Sequence, residues 1–329
     1  MKRIAILDDY QGVALSLGPW DLLQGRCDIQ VFRHPIESED ELVAKLAGFD
    51  VLVANRERSA FPRSVLQRLP QLRLIATSGK RNASIDIVAA RDMGVVVSGT
   101  DTLGYPTVEL TWALILALSR GLVAEVNSVR EGGWQQTIGS GLHGKVLGVV
   151  GLGRLGSAVA QIGNAFGMKV LGCSRSLTAA QAEAVGVQAV SFEELLRRSD
   201  VVTLHVPLNR QSVHLVGAAQ LKQMKPSAVL VNTARGPVID ETALVDALRN
   251  GAIRGAALDV YNEEPLPKGH PLRSCPNVLL SPHLGYVVEE NYRVAFEQSV
   301  ENICAWLDGK PIRVIDAPAT PASTPIQTT

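Results

Sequence analysis

Gly151-Leu152-Gly153-Arg154-Leu155-Gly156 follows the apolar run Val146-Leu147-Gly148-Val149-Val150 and precedes Ser157-Ala158-Val159-Ala160-Gln161-Ile162. The run reads as a buried strand and the segment after it as a helix. A G-x-G-x-x-G between strand and helix is the pattern of a dinucleotide site. The first glycine permits the tight turn, the second lets a pyrophosphate approach the backbone, and the third lets helix and strand pack closely. The helix N-terminus then offers free N–H groups and a partial positive charge to the phosphates. Without a ligand the same pattern is only a tight strand–helix turn, so residues elsewhere must decide. The motif begins near mid-chain, which puts a cofactor-type domain second and another domain first.

Outward from the motif, short β-branched runs alternate with helical patterns, the signature of parallel sheets covered by helices. Before it, strands are predicted at 3–7, 28–32, 51–54, 72–76 and 95–97, with helices over 38–47 and 62–69. A long apolar helix is predicted from about Pro106 to Arg130, as core or subunit contact. After the motif, strands are predicted at 169–172, 201–205, 228–232, 255–260 and 277–280, and an amphipathic helix over 289–307. The expected fold is thus α/β, with two doubly wound, Rossmann-like parallel sheets. Residues 317–329, rich in Pro, Thr and Ala, are expected to be a disordered tail.

The 329 residues carry 32 Lys and Arg against 32 Asp and Glu. Zero net charge argues against a general nucleic-acid or membrane surface. The longest apolar run, near 110–118, is too short to span a bilayer. Cys27, Cys173, Cys275 and Cys304 are widely spaced and form no CxxC, which reads as free thiols without a disulfide frame or metal site. Met1-Lys2-Arg3-Ile4 leads straight into a strand with no signal-like segment, so a cytoplasmic protein is expected.

Cofactor choice is written after the second strand of the cofactor unit, where an Asp or Glu commonly binds the ribose 2′-OH. Here the strand ends in Ser174-Arg175-Ser176, with no carboxylate. Hydroxyls and a guanidinium can bind a 2′-phosphate that a carboxylate would repel. NADP is therefore favoured over NAD; the bland alternative is a solvated Arg175 with NAD accepted.

Three polar residues follow strand ends, where open α/β sheets bind ligands. Arg235 lies in Asn232-Thr233-Ala234-Arg235-Gly236, Glu264 in Asp259-Val260-Tyr261-Asn262-Glu263-Glu264-Pro265, and His283 in Ser281-Pro282-His283-Leu284-Gly285. Singly they read as a loop charge, a turn residue and a structural histidine. Together, at these intervals, they resemble the D-isomer-specific 2-hydroxyacid dehydrogenase family, from about Val53 to Leu307. Its members include phosphoglycerate, glycerate and lactate dehydrogenases and glyoxylate/hydroxypyruvate reductases.

The resemblance implies a hydride transfer between a nicotinamide cofactor and a 2-keto or 2-hydroxy acid. It implies a discontinuous, flavodoxin-like substrate domain, 1–100 with 288–316, interrupted by the dinucleotide domain, 101–287. It also implies a homodimer made through the cofactor domains and the long helix. By motif match His283 is the acid/base, Glu264 its orienting carboxylate and Arg235 the clamp on substrate carboxylate and carbonyl. The chemistry is coherent: hydride goes to the carbonyl carbon, and imidazolium beside a carboxylate gives the proton. His205, in Leu204-His205-Val206-Pro207, is the rival histidine; the family pattern assigns it, with Pro207, to the cofactor lining. The same match assigns Gly151, Gly153, Arg154, Leu155, Gly156, Ser174, Arg175, Thr233, Ala234 and Gly285 to the cofactor, and Asp259 to its carboxamide.

Seven basic residues and one acid lie between Ala54 and Arg81, which suits a small anionic substrate. Arg56 matches a position that faces substrate in similar enzymes. The loop Thr77-Ser78-Gly79-Lys80-Arg81-Asn82 matches the family's carboxylate-binding loop, which implies substrate contacts from Ser78, Gly79 and Lys80. That loop is usually Gly-Val-Gly-Val; Lys80-Arg81 departs from it. Either the substrate has a second anionic group or these side chains point away. Two alternatives stand beside the keto-acid reductase: a short phosphoglycerate dehydrogenase-like enzyme, and a cofactor-sensing corepressor of the same fold.

Overall fold

In the computed structural model, which describes residues 1–175 and 179–316, twelve strands form two sheets. The first contains β1 (Lys2–Ile6), β2 (Cys27–Val31), β3 (Val51–Ala54), β4 (Leu74–Thr77) and β5 (Val96–Gly99), in the order β2-β1-β3-β4-β5. The second contains β6 (Val146–Val150), β7 (Lys169–Cys173), β8 (Gln188–Ala189), β9 (Val201–Leu204), β10 (Val229–Asn232), β11 (Gly255–Leu258) and β12 (Val278–Leu280). Its order is β12-β11-β10-β9-β6-β7-β8. Every strand pair in both ladders is parallel. Both are doubly wound sheets, as expected from the alternation of strand and helix.

Residues of β3, β4, β9, β10 and β11 are buried throughout, because helices cover both faces of a parallel sheet. The chain divides into two compact units, residues 1–102 with 288 onward, and residues 103–287. Each has its own core. One gathers Leu52, Phe61, Leu72 and Ile75. The other packs Leu204, Leu230 and Leu258 on one face of its sheet and Trp112, Leu147 and Val231 on the other.

Register decides where the polar residues gather. In the second sheet Leu204, Asn232, Leu258 and Leu280 stand side by side at the ends of four strands. Val150 aligns with both Cys173 and Leu204. Strand order reverses between β6 and β9, and that topological switch is where doubly wound sheets open a crevice.

Two expectations change. The single helix over 106–130 is two helices, Tyr105–Arg120 and Leu122–Arg130, bent by 66°. Gly121 between them is left-handed (φ 62°) and its N–H donates to the carbonyls of Ala117 and Leu118, which closes the first helix. The helix after the glycine motif begins at Arg154, inside the motif, and runs to Ala165. The two-residue strand β8 carried no apolar alternation and was not predicted; it adds to the edge at β7. Among the described residues no single helix is long and apolar enough to cross a membrane; the bent pair meets that test on length and composition only when counted together. The predicted tail, 317–329, and Ser176 lie outside the described residues.

Candidate active site

The glycine turn is built by close backbone approach. Gly151 has φ 94°, and a Cβ there would lie 2.7 Å from the His205 carbonyl oxygen. At Gly156 a Cβ would lie 1.9 Å from the Gly151 carbonyl oxygen, so the helix can sit this close to the strand only with glycine. At Gly153 a Cβ would meet nothing within 4 Å, and no side chain caps the helix that starts there. The first-turn N–H groups have no intrahelical partner. A cavity of about 740 Å³ opens beside them, lined by Gly151, Gly153, Ser174, Arg175, His205 and Pro207 among others.

The cavity walls explain its chemistry. Burial pushes the Cys173 thiol up to about 11, with Glu193 adding to the shift, so the thiol is an uncharged wall. Burial also pushes the His205 imidazole down from its ordinary 6.5 to about 4. Its Nε2 lies 3.0 Å from Thr203 Oγ1. A ring that stays neutral near pH 7 is unsuited to donate the proton in keto-acid reduction. Ser174 and Arg175 are exposed at the end of β7, with no carboxylate between them.

The depressed His205 sets an expectation for stability. Between about 6.5 and 4 the unfolded chain takes up a proton at this ring that the folded chain refuses. Stability is then fully present above 6.5 and declines as pH falls toward 4. His205→Gln removes this contribution. Urea unfolding at about pH 7 and about pH 4.5 checks it: the drop in midpoint is smaller in the variant, and equal drops refute it.

The three predicted reacting residues follow the ends of β10, β11 and β12. Asn232, buried at the end of β10, brackets the Arg235 turn: its amide donates to the Arg235 carbonyl (2.9 Å) and its Oδ1 accepts the Ala234 N–H (3.0 Å). Thr233 Oγ1 lies 2.9 Å from Thr111 Oγ1, which ties the same turn to the helix 105–120. Glu264 Oε1 accepts the Tyr261 N–H (2.9 Å), and Glu264 Oε2 lies 2.5 Å from His283 Nδ1. Nδ1 therefore carries the proton toward Glu264, and Nε2 is left as the ring's exchanging nitrogen.

His283 sits in the left-handed region (φ 55°), unusual for a non-glycine residue. Asp259 holds that turn: it accepts from Ser281 Oγ (2.6 Å), Leu284 N–H (2.7 Å) and Gly285 N–H (2.9 Å). Burial pushes the Asp259 carboxyl up, against these hydrogen bonds and the nearby His283 charge. Tyr286 stands edge-on to the imidazole, 5.5 Å between centroids. Arg235, Glu264, His283 and the glycine motif all belong to the unit 103–287.

The predicted substrate contacts form a second cluster in the other unit, at the ends of β3 and β4. Arg56 is left-handed (φ 56°), and its N–H donates to Ser78 Oγ (2.8 Å). Asn82 donates to the Arg56 carbonyl (2.6 Å) and to Thr77 Oγ1 (2.9 Å). The Arg56 guanidinium covers Gly79, 2.5 Å from where a Cβ would stand. Lys80, largely exposed, pairs with Asp101 at 2.8 Å.

Residues 112–285 match the model of the D-isomer specific 2-hydroxyacid dehydrogenase NAD binding domain. A glyoxylate reductase of Aeropyrum pernix is 41% identical over 256 residues, covering 75% of this chain and 76% of that protein. The chain belongs to the D-isomer specific 2-hydroxyacid dehydrogenase family. It is an oxidoreductase that works with a nicotinamide cofactor on the CH–OH group of 2-hydroxy acids. A D-3-phosphoglycerate dehydrogenase of Methanocaldococcus jannaschii is 39% identical over 277 residues; the match covers 83% of this chain but only 52% of that protein. The crystal structure of a phosphoglycerate oxidoreductase from Vibrio cholerae superimposes with a TM-score of 0.90, at 37% identity, over 94% of this chain and 100% of that one.

For a member of this dehydrogenase family the open space at Gly153 and the uncapped helix start suit a dinucleotide's pyrophosphate. Residues that sequence reasoning passed over are the supports. Tyr261 OH donates between the carbonyls of Leu258 (3.1 Å) and Ser281 (2.9 Å), joining the ends of β11 and β12. Asn232 and Asn82 had a local signal, since Asn after a strand often hydrogen-bonds the turn that follows. Tyr261 had none, because the partner that joins the two strand ends, the Ser281 carbonyl, is twenty residues away.

Proposed function

We propose that this dehydrogenase reduces a small 2-keto acid of the glyoxylate or hydroxypyruvate type to the D-2-hydroxy acid, with NADPH favoured over NADH. The observation that carries the reading is the 2.5 Å approach of His283 Nδ1 to Glu264 Oε2, on loops whose strands end in one register. When bound, the nicotinamide supplies the hydride to the carbonyl carbon. His283 holds a proton on Nε2 and delivers it to the carbonyl oxygen, and Glu264 supports the imidazolium. Arg235 grips the substrate carboxylate and polarises the carbonyl with its planar fork. Oxidation runs the same proton back to Nε2.

Gly151, Gly153, Arg154, Leu155, Gly156, Ser174, Arg175, His205, Pro207, Thr233, Ala234, Asp259 and Gly285 are the cofactor contacts in this reading. Arg56, Ser78, Gly79 and Lys80 are the substrate contacts of the other unit. Residues 101–287 would bind the nucleotide, and 1–100 with 288–316 the acid. The exposed apolar side chains Leu122, Val123, Val126 and Val129, with Trp134 and Ile138, support a homodimer. A monomer in sedimentation equilibrium at micromolar concentration would count against it. We place the enzyme in the cytoplasm, consistent with four free cysteines.

A panel of glyoxylate, hydroxypyruvate, phenylpyruvate and a phosphorylated 2-keto acid, each with NADPH and NADH, tests both choices. A phosphorylated acid outperforming the rest would favour the phosphoglycerate dehydrogenase-like alternative. Arg175→Ala is expected to lower kcat/KM for NADPH about tenfold and leave NADH within about twofold. A wild-type preference for NADH would overturn the NADP assignment.

A further inference from the structure

A second carboxylate–imidazole pair stands behind the first. Glu241, at the start of the helix Glu241–Arg249, has both oxygens committed to the loop that carries Glu264. Oε1 accepts the Asn262 N–H (2.8 Å) and Oε2 lies 3.4 Å from His270 Nε2. His270 Nδ1 accepts the Leu272 N–H (3.3 Å), so the ring carries its hydrogen on Nε2, toward Glu241. Glu264 lies in the chain between these two attachment points. The Asn262 N–H held by Glu241 adjoins the Tyr261 N–H that fixes Glu264 Oε1.

The same segment presses on the loop from a third place. A Cβ on Gly236 would lie 2.0 Å from the Tyr261 carbonyl carbon and 2.5 Å from the Asn262 nitrogen. Residues 235–241 thus bear the Arg235 fork at one end and the hold on the Glu264 loop at the other. Beyond Pro265, the Arg273 guanidinium donates to the carbonyls of Leu266 (2.7 Å) and Pro267 (2.9 Å). That bond steadies the loop but does not reach back to Glu264.

We infer that Glu241 is a positioning residue: through Asn262 and His270 it sets the loop so that the Glu264 carboxylate meets His283 Nδ1 in register with Arg235. The inference rests on the assignment of Glu264–His283 as the acid–base pair. It follows that loosening Glu241 costs turnover and not cofactor binding, since misplacement of a reacting group by a fraction of an ångström is enough to slow proton transfer.

Steady-state kinetics on Glu241→Ala, Glu241→Gln, Glu264→Gln and the double variant Glu241→Ala/Glu264→Gln decide it, with folding of each checked by circular dichroism and thermal unfolding. Glu241→Ala is expected to lower kcat about tenfold with KM for the nicotinamide within about twofold. Glu241→Gln keeps the acceptor for Asn262 but turns an NH2 toward His270, so its loss falls between wild type and alanine. In the Glu264→Gln background the further loss from Glu241→Ala is less than about twofold, because both act on one contact. Equal losses in the two backgrounds, or a wild-type kcat in Glu241→Ala, overturn the inference and leave the acid–base assignment standing. A wild-type kcat in Glu264→Gln overturns that assignment and this inference together. A folded Glu241→Gln lets the test proceed even where the alanine variant is unstable.

Discussion

His283→Ala is expected to lower kcat for keto-acid reduction by about 10²–10⁴-fold, the usual contribution of a positioned general acid. Binding of the nicotinamide, followed by fluorescence, should stay within about twofold, because the glycine turn and its cavity do not depend on this ring. The reason lies in the geometry around Glu264. With Nδ1 occupied at 2.5 Å, the imidazole has one nitrogen left for proton exchange and one orientation in which to use it. The left-handed backbone at His283, held by the three hydrogen bonds to Asp259, aims the ring before substrate arrives. Alanine removes the proposed proton donor and leaves Glu264 without its imidazole partner. Turnover within threefold of wild type would show that the proton comes from elsewhere.

Arg235→Ala is expected to cost about 10²–10³-fold in kcat/KM, shared between a higher KM for the keto acid and a lower kcat. Arg235→Lys keeps the charge but loses the two-pronged geometry, and should recover only part of the loss. The effect is specific because the turn is held: Asn232 accepts the Ala234 N–H and donates to the Arg235 carbonyl, and Thr233 is tied to Thr111. A uniform fall with every substrate, at unchanged nicotinamide KM, fits a carboxylate clamp shared by all 2-keto acids. A kcat/KM within tenfold of wild type for Arg235→Ala would rule the clamp out.

Both predictions concern residues that were legible in the chain as strand-end motifs. Their legibility has a local cause. In the G-x-G-x-x-G turn Gly156 packs against the carbonyl of Gly151, a contact within six residues that leaves a compact trace, although Gly151 itself approaches the distant His205 carbonyl. Arg235, Glu264 and His283 each follow an apolar run, and a parallel sheet places every such ending on one side. The long helix failed for an equally local reason. Apolar periodicity runs through Gly121, and only the left-handed turn at that residue separates Tyr105–Arg120 from Leu122–Arg130.

What the chain could not announce were contacts between distant segments. The environments of His205 and His283 are among them, since only the family pattern told the two apart in sequence. Burial beside the cavity makes the first a weak base, and the second lies 2.5 Å from a carboxylate nineteen positions away in the chain. Asp259 read as a cofactor contact or a strand-end turn, and both its oxygens brace the turn of His283, more than twenty residues on. Lys80 left two readings open, and its pairing with Asp101, twenty-one positions on, was visible only in the tertiary structure.

By itself, then, the sequence determined two doubly wound sheets and the glycine turn, because strand periodicity and tight turns are short-range properties of neighbouring residues, and family resemblance marked Arg235, Glu264 and His283 as the candidates for the chemistry. Tertiary structure alone decided which histidine meets a carboxylate, what holds it in a left-handed turn, and that Glu241 reaches the loop of Glu264. Those outcomes depend on burial and on hydrogen bonds between strand ends brought level by sheet register, and neither is written in the order of nearby residues.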